Sequence, residues 1–170
     1  MKDSFAFRQG LVNDILQLKD LGCLSYGEYK SILQPEHWSK LNRFLVDESK
    51  WIDLFSQSTC FVCEYESKIV GMAFIFSSGH PWDVFEADWS YIRMVGINPN
   101  FRGNGIGEIL MQHCINHAKK TNEKVIALHT SEFMNAARHL YEKMGFEILR
   151  EIEPRLGNRY WLYSLRLNQF

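Results

Sequence analysis

Tyr91-Ile92-Arg93-Met94-Val95-Gly96-Ile97-Asn98-Pro99 leads into Asn100-Phe101-Arg102-Gly103-Asn104-Gly105-Ile106-Gly107, and this into Glu108-Ile109-Leu110-Met111-Gln112-His113-Cys114-Ile115-Asn116-His117-Ala118. The order is strand, glycine-rich turn, helix. Ile92, Met94, Val95 and Ile97 are β-favouring apolar residues that stop at the turn signal Asn98-Pro99. Ile106, Ile109, Leu110, His113, Cys114 and His117 then recur at three- and four-residue spacing, the stripe of an amphipathic helix. Glycines between the two let the backbone turn tightly and leave its N–H groups uncovered. Those N–H groups open the helix, so donors and the positive dipole end converge on one point, which suits a phosphate or pyrophosphate.

Several readings of this turn compete. A P-loop needs a Gly-Lys-Ser/Thr ending, and this turn ends Gly105-Ile106-Gly107. A dinucleotide fingerprint needs G-x-G-x-x-G; here the third glycine comes one residue early, and no acidic residue closes a second strand about 20 residues later. A strand-to-helix connection without a ligand is open on this stretch alone. The remaining pattern, R-x-x-G-x-G on Arg102, Gly105 and Gly107, resembles the pyrophosphate loop of the GNAT superfamily of N-acetyltransferases.

Length and composition bound the rest. A chain of 170 residues predicts a single domain over 1–170, and 46% hydrophobic with 23% charged residues supports a globular core. A net charge of -1 gives no reason to expect nucleic acid or an anionic membrane as partner. Met1-Lys2-Asp3-Ser4 starts no signal peptide, and no apolar run approaches the roughly 20 residues that cross a bilayer. Cys23, Cys60, Cys63 and Cys114 show no framework spacing, so reduced thiols in a cytoplasmic setting are expected.

Along the chain, Phe5–Arg8 alternates as a first strand, and Leu11, Ile15, Leu16 and Leu18 predict a short helix ending near Gly22. Residues 23–37 are mixed, with Leu24, Tyr26, Tyr29, Ile32 and Leu33 suggesting a second helix broken by Pro35, and a third runs from Trp38 to Leu45, with Trp51, Leu54 and Phe55 prolonging that region. Thr59–Glu66 and Ile69–Ser77 pattern as a hairpin, and residues 78–87 as a loop. Val125–Thr130 is a continuous apolar strand, as expected where both faces are covered. A helix separates it from the 92–97 strand, which predicts parallel neighbours with a right-handed crossover. Residues 133–144 read as a helix stopped by Gly145, with closing strands at 146–152 and 159–167.

A second motif strengthens the resemblance. Ala137-Arg138-His139-Leu140-Tyr141-Glu142-Lys143-Met144-Gly145-Phe146 is similar to the second GNAT signature, and with the strand and helix order the likeness covers nearly the whole chain. It implies an α+β (mixed α/β) single-domain fold, a mostly antiparallel sheet of about seven strands that splays open between the 92–97 and 125–130 strands. It implies acetyl-CoA as co-substrate, no metal, and transfer of the acetyl group to a primary amine by direct attack on the thioester. The acceptor would be a small-molecule or protein amine, in a monomer or a homodimer. A non-catalytic acyl-CoA-binding domain of the same fold is the alternative.

Residue roles follow from the resemblance. Met94, Val95, Gly96 and Ile97 would meet the pantetheine arm, with main-chain groups of Val95 and Ile97 pairing to it as to an added strand. Arg102, Gly103, Asn104, Gly105, Ile106, Gly107 and Glu108 would hold the pyrophosphate. Tyr141 would lie beside the thioester sulfur and protonate the leaving thiolate; its phenol, at about 10, roughly matches a thiol. Relatives place an asparagine seven residues before this tyrosine. Here that position is Met134, and Asn135 lies six before, so either Asn135 takes the cofactor contact by a small shift or the contact is absent.

The base that receives the amine proton is less defined. Relatives often carry a glutamate where Tyr91 stands, so Glu86, Asp88 and His80 are the nearby candidates, beside a solvated-loop reading of both carboxylates. Trp82–Trp89 mixes three carboxylates with three aromatics, a lining that would suit a cationic amine. His113 and His117, four apart on a helix, lack a third ligand at a telling spacing and are expected to pack. Cys60 and Cys63, in one strand, are expected to be structural and to point to opposite faces.

Overall fold

The computed structural model describes residues 4–168; the outermost residues at either end of the single domain expected over 1–170, including the chain start read as lacking a signal peptide, lie outside them. Seven strands and five α-helices follow one another as β1 (Ala6–Gln9), α1 (Ile15–Gly27), α2 (Pro35–Leu45), α3 (Glu48–Gln57), β2 (Thr59–Tyr65), β3 (Lys68–Phe76), β4 (Ser90–Ile97), α4 (Ile106–Lys120), β5 (Val125–Ser131), α5 (Asn135–Lys143), β6 (Glu147–Arg155) and β7 (Asn158–Arg166). The sheet order is β1-β2-β3-β4-β5-β7-β6. Only β4 and β5 are parallel, and α4 makes the crossover between them. The mixed, mostly antiparallel sheet expected from the sequence is present.

Two cores flank the sheet. On one face, Leu18, Leu21, Leu45, Trp51 and Leu54 of α1–α3 pack on Val62, Met72, Phe74 and Phe76. On the other, Ile106, Leu110, Met111, Cys114 and Ala118 of α4 pack on Val70, Ala73, Ile75 and Ile126. β3 is therefore buried on both faces, which explains its unbroken apolar run. Cys60 enters the first core and Cys63 the second, the opposite-face placement that strand periodicity requires. His113 stacks on Phe7 and Phe61, and His117 meets Phe61 edge-on, so both histidines pack.

The helical first third departs from expectation at its boundaries. α1 does not end at Gly22; it continues to Gly27, because Gly22 sits under the Trp51 ring, where a Cβ would lie 2.3 Å from Cζ2. The close approach of α1 and α3, not helix termination, is what that glycine serves. Pro35 starts α2 at its first turn, where its missing N–H costs nothing. Residues 48–57 form a helix of their own, because the Asp47 side chain accepts from Ser49 N–H and caps it. The β2–β3 turn is the expected two-residue one, shifted by one residue to Glu66 and Ser67, and the β6–β7 turn is tighter than expected, at Leu156 and Gly157; all four residues have positive φ.

The sheet opens at one place. β4 and β5 pair only at Ser90–Ile126 and Tyr91–Ala127, fastened by the Ser90 hydroxyl donating to Val125 O at 2.7 Å. Beyond that point β4 turns away. Its register against β3 jumps from Phe74–Arg93 to Met72–Gly96, so Met94 and Val95 face the single residue Ala73 in a bulge. Met94 takes φ 56°, the left-handed conformation that lets the strand bend.

Candidate active site

Past the bulge, β4 keeps one edge unpaired. Asn98 N–H donates to Val70 O of β3 at 2.8 Å. Antiparallel alternation then turns the main-chain groups of Ile97 and Val95 away from β3, into the opening. The Val95 carbonyl accepts from the Tyr26 hydroxyl at 3.3 Å, which ties α1 to the splayed strand. Gly96 faces α1 at close range, where a Cβ would lie 3.2 Å from Ser25 Oγ.

A cavity of about 400 Å³ lies along this edge. Val95 and Ile97 form one wall, Arg102, Gly103, Gly105, Ile106, Gly107 and Glu108 its end, and Ala137, Leu140 and Tyr141 of α5 the other wall. Gly103 (φ 82°) and Gly105 (φ 75°) adopt the left-handed conformation, and a Cβ on either would meet nothing within 4 Å. Their conformation, not crowding by the protein, demands glycine, and it leaves the turn open to a ligand. Gly105 caps α4 with no side chain in the capping role, so the first N–H groups of the helix have no intrahelical partner and face the cavity end. Arg102 pairs with Glu28 at 2.6 Å and Glu108 with Lys143 at 2.7 Å, both pairs half exposed. Asn104 does not line the cavity; its amide donates to Phe101 O at 2.8 Å and holds the turn in shape.

A second cavity of about 190 Å³ lies beyond the splay. Arg93 and Met94 line it from β4, His129 and Thr130 from β5, and Tyr26, Trp82, Met134 and Tyr160 complete much of its wall. Val95, Tyr29, Ala137 and Tyr141 line both cavities. Tyr141 is 7% exposed, and burial pushes its phenol well above the ordinary tyrosine value, so it stays protonated at neutral pH.

His129 is the residue that sequence reasoning missed. Its ring lies under Phe85 at 5.5 Å and 4°, within a stack that includes Trp82 and Tyr91. Neither ring nitrogen has a hydrogen-bond partner, although Nε2 stands 3.4 Å from Asp83 Oδ2. Burial first, then the positive charge of Arg155, brings its pKa down to about 4. Asp83 is held by Arg155 through a two-pronged contact. The Val125–Thr130 run looks purely structural by composition, and a histidine near its end was the one available signal.

Glu86 and Asp88 are exposed and line neither cavity; Asp88 borders a separate depression with Lys124 and Arg166. In the Trp82–Trp89 loop Phe85 is buried and the part-exposed Trp82 lines the second cavity, while these two carboxylates point to solvent. His80 is exposed. Asn135 is likewise exposed and off both walls, while Met134 lines the second cavity and accepts from the Thr130 hydroxyl at 3.4 Å. Among the described residues no cluster of three or more histidine, cysteine or acidic side chains could hold a metal, and no helix is long and apolar enough to cross a membrane.

Comparison with known proteins bears on the same stretch. The profile of the Acetyltransferase (GNAT) family matches residues 25–146, which include the splayed strand, the glycine turn and Tyr141. The chain belongs to the GNAT acetyltransferase family. An uncharacterised N-acetyltransferase of Methanocaldococcus jannaschii is 29% identical over 100 residues, covering 58% of this chain and 43% of that protein. A probable N-acetyltransferase, camello, of Xenopus tropicalis is 28% identical over 138 residues, covering 78% and 61%. The chain thus spans about half the length of these curated relatives. The PaiA N-acetyltransferase of Thermoplasma acidophilum, solved in complex with coenzyme A, has the same fold, with a TM-score of 0.76 at 15% identity, covering 96% of this chain and 99% of that one. The splay opens at β4 and β5, mid-way along the sheet, and both cavities are lined from it.

Proposed function

We propose that this GNAT chain is an acetyl-CoA-dependent N-acetyltransferase that acts on a primary amine by direct transfer. The observation that carries the reading is that one buried, protonated phenol, Tyr141, lies on the shared wall of a long cavity ending at free helix N–H groups and of a compact second cavity.

The residues fit the co-substrate. The open left-handed glycines 103 and 105 and the first N–H groups of α4 suit a pyrophosphate. The outward main-chain groups of Val95 and Ile97 suit the amides of a pantetheine arm. Acetyl-CoA supplies an acetyl group already activated as a thioester. The protein then has three tasks. Main-chain N–H groups at the bulge face the opening and can hold a carbonyl oxygen as it gains charge. Tyr141 donates its hydroxyl proton to the departing sulfur. His129, neutral at pH 7 with no partner on either nitrogen, accepts the proton that the amine loses as its nitrogen bonds to carbon. One C–N bond forms, one C–S bond breaks, and one proton passes through each of the two side chains. His129 takes the role first sought in Glu86 and Asp88, because it faces the cavity and they do not.

The test is release of free thiol from acetyl-CoA across a panel of amines, with Tyr141→Phe alongside. General-acid loss lowers turnover by roughly 100-fold or more. Turnover by Tyr141→Phe equal to that of the unaltered protein on every active amine would remove the acid role. Thiol release from no amine would favour a binding domain of the same fold.

A further inference from the structure

Arg93 is a cation without an anion. It stands on β4 immediately before the bulge, on the wall of the acceptor cavity. Its guanidinium lies 3.7 Å from the centre of the Trp82 ring and 5.6 Å from that of Phe76. Among the described residues it makes no hydrogen bond or ion pair. The nearest candidate, Asp83, is already held by Arg155. Glu86 and Asp88 are exposed and off the cavity wall. Two aromatic faces thus hold the guanidinium in place and leave its N–H fork unsatisfied in a partly desolvated position.

Among the described residues no acidic side chain lines the acceptor cavity or the depression that shares His129, Leu156 and Tyr160 with it; Lys40 borders the depression, and Arg155 there is paired with Asp83. A cationic amine would meet repulsion there. The aromatic and apolar remainder of the wall, from Leu41, Trp82, Leu128 and Met134, suits a hydrophobic side chain. A planar two-oxygen group matches the guanidinium fork. A phosphate would call for further donors, such as those of the other cavity's glycine turn.

We propose that the acceptor is a free α-amino acid with an apolar or aromatic side chain, its carboxylate seated on the Arg93 guanidinium and its amine turned toward Tyr141 and His129. This rests on the acetyl-transfer reading. The carboxylate is unchanged by the reaction; the amine loses one proton and gains the acetyl group. Arg93 also contributes to holding His129 neutral, so a carboxylate seated on it eases that pressure as the acceptor binds.

The test measures binding, so it needs no turnover. Calorimetry on the full chain saturated with coenzyme A compares N-acetylphenylalanine with its primary amide. The acid is expected to bind at least about tenfold tighter, since a hydrogen-bonded charge is worth about 1.5 kcal/mol or more. In Arg93→Gln the two should bind within about twofold of each other, and Arg93→Lys, which keeps the charge without the fork, should lie between. Equal binding of acid and amide by the unaltered protein, binding of neither, or a preference that survives in Arg93→Gln overturns the proposal. The comparison in the unaltered protein decides even if a variant fails to fold. Failure of coenzyme A itself to bind overturns the acetyl-transfer reading and this proposal with it; coenzyme A binding without preference for the acid overturns the acceptor alone.

Discussion

Lowering the pH from 7.5 to 5 should weaken the fold through His129. In the folded chain its imidazole is held neutral, with its pKa brought down from 6.5 to about 4 by burial and by Arg155 and Arg93, against the opposing pull of Asp83. In the unfolded chain it titrates near 6.5. Above 6.5 both states hold it neutral and it adds no pH dependence. As pH falls from 6.5 toward 4 the unfolded chain takes up a proton that the folded chain refuses, so stability falls; below 4 both are protonated and the loss levels off. The loss is about 2 kcal/mol by pH 5 and about 3 kcal/mol at its limit, at about 1.4 kcal/mol for each pH step between the two values. The assay is urea unfolding at a series of pH values, for the unaltered protein and for His129→Gln, which cannot titrate. The difference between the two profiles should be flat above 7 and open between 6.5 and 4. Asp14, held below its usual range by Arg8, acts at lower pH and cancels in the difference. Parallel profiles across that window would show that His129 titrates freely in the folded chain, and the burial argument would fail.

Three further outcomes are expected. Gly105→Ala places a Cβ at φ 75° in open space, so it should cost about 1 kcal/mol in thermal unfolding and, by displacing the turn's N–H groups, weaken coenzyme A binding in calorimetry. Gly22→Ala drives a Cβ to within 2.3 Å of the Trp51 ring and should destabilise by about 1–3 kcal/mol, read as a lowered urea midpoint at unchanged slope. Arg8→Ala leaves Asp14, with a side chain 10% exposed, without its 2.7 Å partner; a loss of about 1–2 kcal/mol at pH 7 should shrink as the pH falls below 4 and the carboxyl protonates.

How legible each half of the site is in the sequence follows from how local its chemistry is. The coenzyme half is built from consecutive residues, Arg102 to Glu108; Gly103 and Gly105 make a left-handed turn in the open and Gly107 lets the helix start pass close to Leu140, so the pattern is local. The sheet is legible for the same reason: β2, β3 and β5 carry unbroken or alternating apolar runs. The helical first third is not, because its boundaries are set by contacts across the chain. Gly22 looks like a stop and is instead a contact point for Trp51, 29 positions away in sequence. The acceptor half is assembled from β4, β5, α1 and the Trp82–Trp89 loop. Within that loop, composition gives three carboxylates and three aromatics and no way to tell which face inward; the hydrophobic gain of burying Phe85 against Tyr91 and His129 decides it, Glu86 and Asp88 go outward, and Asp83 stays beside His129 and Arg155.

The bulge at Met94 joins these two halves. Were β4 regular, its edge would remain paired with β5 beyond Tyr91, and Val95 and Ile97 would spend their main-chain groups on the sheet. The bulge bends the strand at the point where Arg93 and Met94 line the second cavity alone and Val95 lines both. A non-glycine residue at φ 56° costs roughly 1–2 kcal/mol, and the fold bears it because β3 on one side and α1 on the other fix the strand at both ends. The same kink therefore frees an edge for one substrate and aims Arg93 at the other. On the proposed reading, one short stretch of strand, Arg93 to Ile97, meets both the acceptor and the coenzyme, so substitutions there should change both together, whereas substitutions in the glycine turn should change only the second.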